Sequence, residues 1–333
     1  MIVLGIETSC DETAASVVGP DGVLSDVVHT QEIHHEYGGV VPELAGRAHA
    51  DKVVTTAQAA LARAGIERPD AVAATAGPGL IGAVLVGLCF GKSLAAGWRV
   101  PFIGVNHLEG HLLSAMLEPN GPTFPFLSLV VSGGHTSLYL ARDLGQYDVL
   151  GETVDDAAGE AFDKVARMLG LGYPGGPAVD AAAAEGNGAA VPLPRPQPKL
   201  RPPKTPSGHQ GTRPLDMSFS GLKTAVRSHV GAATTPDLCA SFQQAVVDVL
   251  TNRVLRAADA TGVRTVTMAG GVAANSQLRA AMLALDLDVC LPPRHRCTDN
   301  AAMIAHAGRL RLLRGERHGL ERPARAQWTP GMG

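Results

Sequence analysis

Cysteine is scarce in this chain, and its five residues form no metal-binding or redox spacing. They are Cys10, Cys89, Cys239, Cys290 and Cys297. The cysteines are scattered and odd in number, which argues against a disulfide-stabilised secreted fold and against a cysteine zinc finger. No cysteine has an obvious basic partner, so we assign no thiol chemistry. The pattern is typical of reduced thiols in a cytosolic protein.

Aromatic residues are also few, and the chain has no excess of positive charge. Aromatics make up 4% of the 333 residues, and the formal net charge is -3. So few aromatics argue against a stacking platform for single-stranded nucleic acid. The charge argues against a uniformly basic nucleic-acid binder, so any basic surface must be local. The length and the hydrophobic fraction of 45% are ample for a large core in one or two domains.

Long apolar runs are absent as well. The longest apolar helical run covers residues 80–91 and ends at Lys92, which is too short for a membrane span, so we predict a core helix there. The start of the chain enters a strand-like segment directly, without the pattern of a signal peptide. We therefore expect a cytoplasmic protein that does not associate with a membrane.

Two histidines four residues apart mark the segment 106–111. His107 and His111 fall on one face of a predicted helix, so both imidazoles can reach one metal ion. Glu109 follows His107 by two residues and points about 200° round the helix, whereas zinc peptidases place this glutamate directly after the first histidine. The pattern indicates a metal site that is not a peptidase's. The alternative is a histidine pair that caps or packs a helix.

Two histidines alone hold a divalent metal poorly, so we expect a third ligand from elsewhere. The best candidate is Asp299, which lies where the predicted last helix begins. Two histidines and one carboxylate with open coordination positions suit iron(II) or a catalytic zinc, and the residues do not choose between them.

A strand, a hydroxyl-bearing turn and a returning strand occur twice, at residues 2–18 and 127–140. The repetition predicts two similar α/β halves that each open with a hairpin. We divide the chain into residues 1–125, with the metal-binding helix, and residues 126–333. The alternative for each turn is an ordinary polar hairpin loop. In the second turn, Gly133 and Gly134 would let backbone amides approach an anion, because no Cβ stands in the way.

Three other segments have an open interpretation. Asp163 and Asp180 flank a glycine turn, an arrangement that suits binding of sugar hydroxyls or, equally, two solvated acids. Residues 186–214 are rich in proline and basic residues, which predicts an exposed, partly extended loop that contacts RNA phosphates or is a simple insertion. The arginine-rich tail from Arg309 is either a solvated face or a contact for a phosphate backbone.

Two hairpin-first halves resemble the actin, hexokinase and acetate-kinase (ASKHA) superfamily. The resemblance implies two duplicated subdomains with a nucleotide in the cleft between them. The phosphates would meet the two hairpin loops, and the nucleoside would meet the turn Gly270-Gly271.

Seven ordered motifs carry a closer resemblance. They are residues 5–13 (GIETSCDET), 106–111 (NHLEGH), 131–136 (VSGGHT), 159–164 (GEAFDK), 173–177 (YPGGP), 218–224 (SFSGLKT) and 270–275 (GGVAAN). Together they resemble the tRNA N6-adenosine threonylcarbamoyltransferase family of the bacterial TsaD type over residues 2–314. The loop 195–213 is longer than that family's pattern, and Met217 stands where the pattern has an aromatic residue. Neither departure touches the expected chemistry.

The resemblance implies transfer of a threonylcarbamoyl group from threonylcarbamoyl-adenylate to N6 of the adenosine 3′-adjacent to the anticodon, in tRNAs reading codons that begin with A. AMP would leave. It also implies two bacterial partners, a degenerate paralogue of the same fold and a small P-loop ATPase. The implied site residues are His107, His111 and Asp299 for one divalent metal per subunit (iron(II) in preference to zinc), Val130, Val131, Ser132, Gly133 and Gly134 for the phosphate and acyl end, Asp163, Gly176 and Asp180 for the ribose, and Gly271 and Asn275 for the adenine.

The adenylate is already an activated anhydride, so the reaction needs no serine or cysteine nucleophile, and none is evident. A base near the accepting amine would help about 10²–10⁴-fold. Asp11 and Glu12 in the first turn are the candidates. Three alternatives stay open: a small-molecule kinase of the same superfamily, a metallopeptidase, and a non-catalytic nucleotide-binding scaffold.

Overall fold

The computed structural model describes residues 1–199 and 212–331, in two units that are best considered separately. The first unit contains Met1–Gly121, Leu144–Gln146 and Asp299–Gly333, and the second contains Pro122–Asp143 and Tyr147–Thr298. Of the predicted basic loop 186–214, residues 200–211 lie outside the described residues.

The first unit is a mixed sheet with helices packed on it. In chain order its elements are β1 (Val3–Glu7), β2 (Glu12–Gly19), β3 (Gly22–Thr30), α1 (Pro42–Ala64), β4 (Ala71–Gly77), α2 (Ile81–Trp98), β5 (Phe102–Asn106) and α3 (His107–Leu113), with 3₁₀ helices at Glu32–Tyr37 and Ser114–Leu117. The strand order is β3-β2-β1-β4-β5. β1 pairs antiparallel with β2 and parallel with β4, so the unit opens with the predicted hairpin.

The second unit repeats this arrangement. Its elements are β6 (Phe126–Val131), β7 (Thr136–Asp143), β8 (Gln146–Glu152), α4 (Ala158–Met168), α5 (Gly175–Ala183), α6 (Ser220–Arg227), α7 (Thr235–Thr261), β9 (Thr265–Ala269), α8 (Ser276–Leu283), β10 (Asp288–Cys290) and α9 (Arg294–Cys297), with a 3₁₀ helix at Gly271–Ala274. The strand order is β10-β9-β6-β7-β8. β6 pairs antiparallel with β7 and parallel with β9. Read from the other edge, this is the order of the first sheet, so the predicted duplication is confirmed.

The last helix, α10 (Ala301–Leu313), packs on β1 and belongs to the first unit. This assignment differs from the predicted division at residue 125, which placed the whole C-terminal part in the second half. The physical reason is a close helix–strand contact at Gly5, where an added Cβ would lie 2.4 Å from the carbonyl oxygen of Ala301. The fold therefore brings Asp299, just before α10, into the same unit as the two histidines.

We expect Gly5→Ala to destabilise the first unit by about 1–3 kcal/mol, because the added methyl group overpacks the α10–β1 contact. Chemical denaturation of the full chain would measure the loss. Gly97→Ala is the matched control: Gly97 lies in α2 with nothing within 4 Å of an added Cβ, and alanine there should stabilise the helix by about 0.5–1 kcal/mol. A Gly5→Ala protein as stable as the wild type would contradict this account of how α10 is held.

The helix α2 extends beyond the apolar run 80–91. It continues through Lys92 to Trp98, and among the described helices it is the one that meets the length and hydropathy of a membrane span. The prediction that the apolar run ending at Lys92 makes this segment too short for a membrane span is therefore wrong by length and composition. One face of the helix packs on the first unit, because Gly87 contacts Thr8 and Gly91 contacts Ala74 of β4.

The arginine-rich tail after α10 also packs on the first unit. The His318 backbone N–H donates to the carbonyl of Phe102, and the Gly104 N–H donates to His318 Nδ1, both at 2.9 Å. Further along, Arg325 lies against the indole of Trp328. The tail therefore covers the outer edge of β5 instead of forming the simple solvated face that was one of its two predicted roles.

Candidate metal centre and candidate substrate-binding loops

The helix that carries the histidine pair begins directly at the end of β5. The side-chain oxygen of Asn106 caps it by accepting hydrogen bonds from the backbone N–H groups of Leu108 (2.9 Å) and Glu109 (3.2 Å). His107 and His111 are both buried on one side of the helix. The predicted helix and the shared face of its two histidines are thus present.

Donor atoms of three side chains meet beside this helix. Asp299 Oδ1 lies 2.9 Å from His111 Nε2 and 3.6 Å from His107 Nε2, and the three donor atoms lie within 4.8 Å of one another. A metal with bonds of about 2.0–2.2 Å holds neighbouring ligand atoms roughly 3.0–3.4 Å apart. The donor set therefore fits one divalent metal per subunit, and its chemistry suits both iron(II) and zinc.

A carboxylate that the sequence analysis did not single out orients His107. Glu7 Oε2 lies 2.9 Å from His107 Nδ1, and Thr75 donates to the same oxygen at 2.6 Å. Such a contact fixes the ring and leaves Nε2 facing Asp299, which is the usual arrangement around metal-bound histidines. Burial opposes the charged imidazolium, but Asp299 and Glu7 outweigh it and raise the pKa of His107 to about 9. The sequence offered one signal for this role of Glu7, which is its position as the polar residue that ends a buried strand.

The turn between β1 and β2 carries the two predicted candidates for a base. His49 from α1 holds this turn, because its Nε2 donates to the carbonyl of Cys10 at 3.0 Å and its Nδ1 lies 2.8 Å from the Thr13 hydroxyl. Burial, followed by the charges of Asp299 and Asp11, raises the pKa of Glu12 to about 10. The Ser9 hydroxyl of the same turn lies 3.1 Å from His107 Nδ1, so the acidic turn lies beside a candidate metal ligand.

Glu109 points away from the metal-binding face, as its spacing predicted. Arg311 on α10 donates to both of its carboxylate oxygens, at 2.6 and 2.7 Å. The carboxylate is therefore engaged elsewhere and does not stand where a zinc peptidase needs its base.

In the second unit, the turn between β6 and β7 is a tight loop closed by its own backbone. The Ser132 N–H donates to the carbonyl of His135 at 2.7 Å, and the Gly159 N–H at the start of α4 donates to the carbonyl of Ser132 at 3.2 Å. Nothing lies within 4 Å of an added Cβ at Gly133 or Gly134. Val130 and Val131 are buried in β6, so these two residues can offer a ligand only their backbone.

The two predicted acids of this unit differ in their surroundings. Asp163 accepts a hydrogen bond from the Gly175 N–H at 2.8 Å, so it holds the start of α5. Asp180 accepts hydrogen bonds from Asn275 (3.1 Å) and from Gln243 (3.0 Å). The structure thus joins Asp180 to Asn275 directly.

Two further predicted residues lie at helix starts. Gly176 is in the first turn of α5, and Gly271 begins the 3₁₀ helix that leads to Asn275. The buried side chain of Gln243 was missed by the sequence analysis, although it interrupts the apolar stripe of α7, and a polar residue in such a stripe is a detectable signal.

Two subdomains with the same strand order, each opening on a hairpin, define a protein of the actin/hexokinase-like α/β class. The crystal structure of HypF from T. kodakarensis has this fold, with a TM-score of 0.60 and 14% identity, over 94% of this chain and 48% of that one. The first subdomain also contains a His-His-Asp donor set, which is a candidate metal centre.

A family model described as TsaD, tRNA N6-adenosine threonylcarbamoyltransferase, matches residues 22–306. The chain is 53% identical to the tRNA N6-adenosine threonylcarbamoyltransferase of Anaeromyxobacter dehalogenans (strain 2CP-C), with 98% of each chain covered. It is 50% identical to that of Symbiobacterium thermophilum, over 100% of this chain and 96% of the relative. The chain therefore belongs to the TsaD family, and it is a transferase of tRNA modification.

Proposed function

We propose that this protein transfers the threonylcarbamoyl group of L-threonylcarbamoyl-adenylate to N6 of the adenosine 3′-adjacent to the anticodon, in tRNAs that read codons beginning with A. A bond forms between N6 and the carbamoyl carbon, and the bond from that carbon to the phosphate oxygen breaks. AMP leaves with the electron pair, and N6 loses a proton. The observation that carries the proposal is the His107–His111–Asp299 donor set, with both histidines buried and Asp299 partly exposed, beside an acidic turn in a member of this family.

The first unit supplies the groups that this reaction needs. When bound, iron(II), or zinc as the alternative, would supply Lewis-acid polarisation at His107, His111 and Asp299. Asp11 or Glu12 would accept the N6 proton, a contribution of about 10²–10⁴-fold. No covalent intermediate is required, because the adenylate is already activated.

The second unit would hold the adenylate. The backbone from Val130 to Gly134 suits the phosphate and acyl end, since Gly133 and Gly134 leave the backbone accessible. Asp163, Gly176 and Asp180 would bind the ribose region, and Gly271 with Asn275 the adenine. The direct contact between Asp180 and Asn275 supports this grouping, because the residues proposed for the ribose and for the adenine are hydrogen-bonded neighbours.

The protein would act in the cytoplasm, without a membrane. We propose that it works with a degenerate paralogue of the same fold and with a small P-loop ATPase.

The test combines purified protein with the two partner proteins, synthetic threonylcarbamoyl-adenylate and an unmodified tRNA transcript. We expect mass spectrometry of the digested tRNA to show threonylcarbamoyladenosine. A transcript with guanosine in place of the accepting adenosine is the matched control and should give none. Failure to modify the adenosine transcript, together with ATP-dependent phosphorylation of a small molecule, would favour a kinase of the same superfamily instead.

A further inference from the structure

An ion pair joins α3, which carries two of the candidate metal ligands, to α10, which begins just after the third. Glu109 lies on α3, between His107 and His111, and is 1% exposed. Arg311 lies on α10, the helix that begins just after Asp299. Its Nε donates to Glu109 Oε2 at 2.6 Å and its Nη2 donates to Glu109 Oε1 at 2.7 Å. This is a bidentate pair, which fixes direction as well as distance.

An apolar contact between these helices lacks such direction. An added Cβ at Gly110 would lie 2.9 Å from Ile304 and 3.2 Å from Met303, so the helices meet there through apolar side chains. Apolar packing is non-directional, and α3 contains 7 residues, about two turns. A small slide or rotation of α3 on α10 would therefore retain the apolar contact and yet change the spacing of the donor atoms.

A second bond holds Arg311 itself in place. Its Nη1 donates to Glu316 Oε2 at 2.6 Å, on the segment that follows α10. The Arg311 guanidinium is thus held by Glu316 as well as by Glu109. A buried ion pair generally contributes little net stability compared with apolar residues of the same volume. The role of the Glu109–Arg311 pair is therefore better explained by the fixed position that it gives α3 on α10.

We propose that Glu109 and Arg311 form a positioning pair for the metal centre, which fixes α3 on α10 so that His107, His111 and Asp299 reach one ion. This inference rests on the metal site of the proposed function. Neither residue belongs to the His107–His111–Asp299 donor set, and both oxygens of Glu109 are bound by the guanidinium. The pair acts on metal affinity through the positions of the three ligands.

The test measures Zn²⁺ affinity of the full chain by competition with a chromophoric chelator, and the visible absorption of the Co²⁺-loaded protein. Glu109→Gln and Arg311→Lys should each raise the Zn²⁺ dissociation constant about 10–100-fold, as changes around metal-bound histidines usually do. The Co²⁺ spectrum should change with them. Arg309→Lys is the matched control: it makes the same substitution on the same helix, at a side chain that donates to the Met1 carbonyl, and should leave both readings unchanged.

A double variant separates positioning from folding. Glu109→Leu with Arg311→Met leaves no lone buried charge, so its metal-free form should unfold close to the wild-type temperature. We expect it to lose Zn²⁺ affinity as the single variants do. Wild-type affinity in a folded double variant would overturn the pairing role and leave the metal site intact. Zn²⁺ binding that is equal in the wild type and in His111→Ala would overturn the metal site, and the positioning role with it.

Discussion

His111→Ala is expected to prevent specific metal binding and to lower the single-turnover rate of threonylcarbamoyl transfer about 10²–10⁴-fold. A bound metal typically supplies several kcal/mol of transition-state stabilisation, and each 1.36 kcal/mol is tenfold in rate. Alanine leaves only His107 and Asp299, whose donor atoms lie 3.6 Å apart. The measurement is metal content per subunit together with product formed per enzyme when the protein exceeds the tRNA.

The control for this experiment is His29→Ala, which removes an exposed histidine from β3 in the same unit. It should keep both the metal and the rate. If His111→Ala forms product as fast as the wild type, the transferase reaction stands, and the histidine pair is reduced to packing the helix. That outcome would restore the plainer alternative that the i, i+4 spacing left open.

The sequence was most informative where chemistry depends on local spacing. His107 and His111 are four residues apart, so one helical turn brings them together whatever surrounds the helix. The same reasoning placed Glu109 off the ligand face, and the structure pairs it with Arg311. The duplicated hairpins were also predictable, because strand pairing over a short turn is local.

Contacts between distant segments were harder to predict. Glu7 supports His107 across a parallel sheet, and no spacing in the sequence relates the two residues. The return of α10 to the first sheet depends on a missing side chain at Gly5, which looks like any other glycine in a strand. Asp299 was proposed as a ligand from its position before a helix, but only the fold shows its carboxylate beside both imidazoles.

Two carboxyl groups of the acidic turn, Asp11 and Glu12, are the proposed acceptors of the N6 proton. Without a metal, burial and the charges of Asp299 and Asp11 raise the pKa of Glu12 to about 10. A carboxyl group with that pKa is protonated at pH 7, so it cannot serve as the base in this state. In the metal-free site Asp11, one residue earlier, is therefore the better candidate for the acceptor, and Glu12 is a candidate for a neutral hydrogen-bonding group.

We therefore expect Asp11→Ala to lower the single-turnover rate about 10²–10⁴-fold at saturating adenylate, the usual range for loss of a general base. Glu12→Gln, which imitates the neutral acid, should stay within about tenfold of the wild type, and Glu12→Ala should cost more than Glu12→Gln. The rates are measured across pH with metal-loaded protein. A severe loss in Glu12→Gln with a mild loss in Asp11→Ala would reverse the two roles, because metal binding would then have lowered the pKa of Glu12 enough to ionise it. Unchanged rates in both alanine variants would remove the base from this turn altogether, and proton transfer to water or to the departing phosphate would have to replace it.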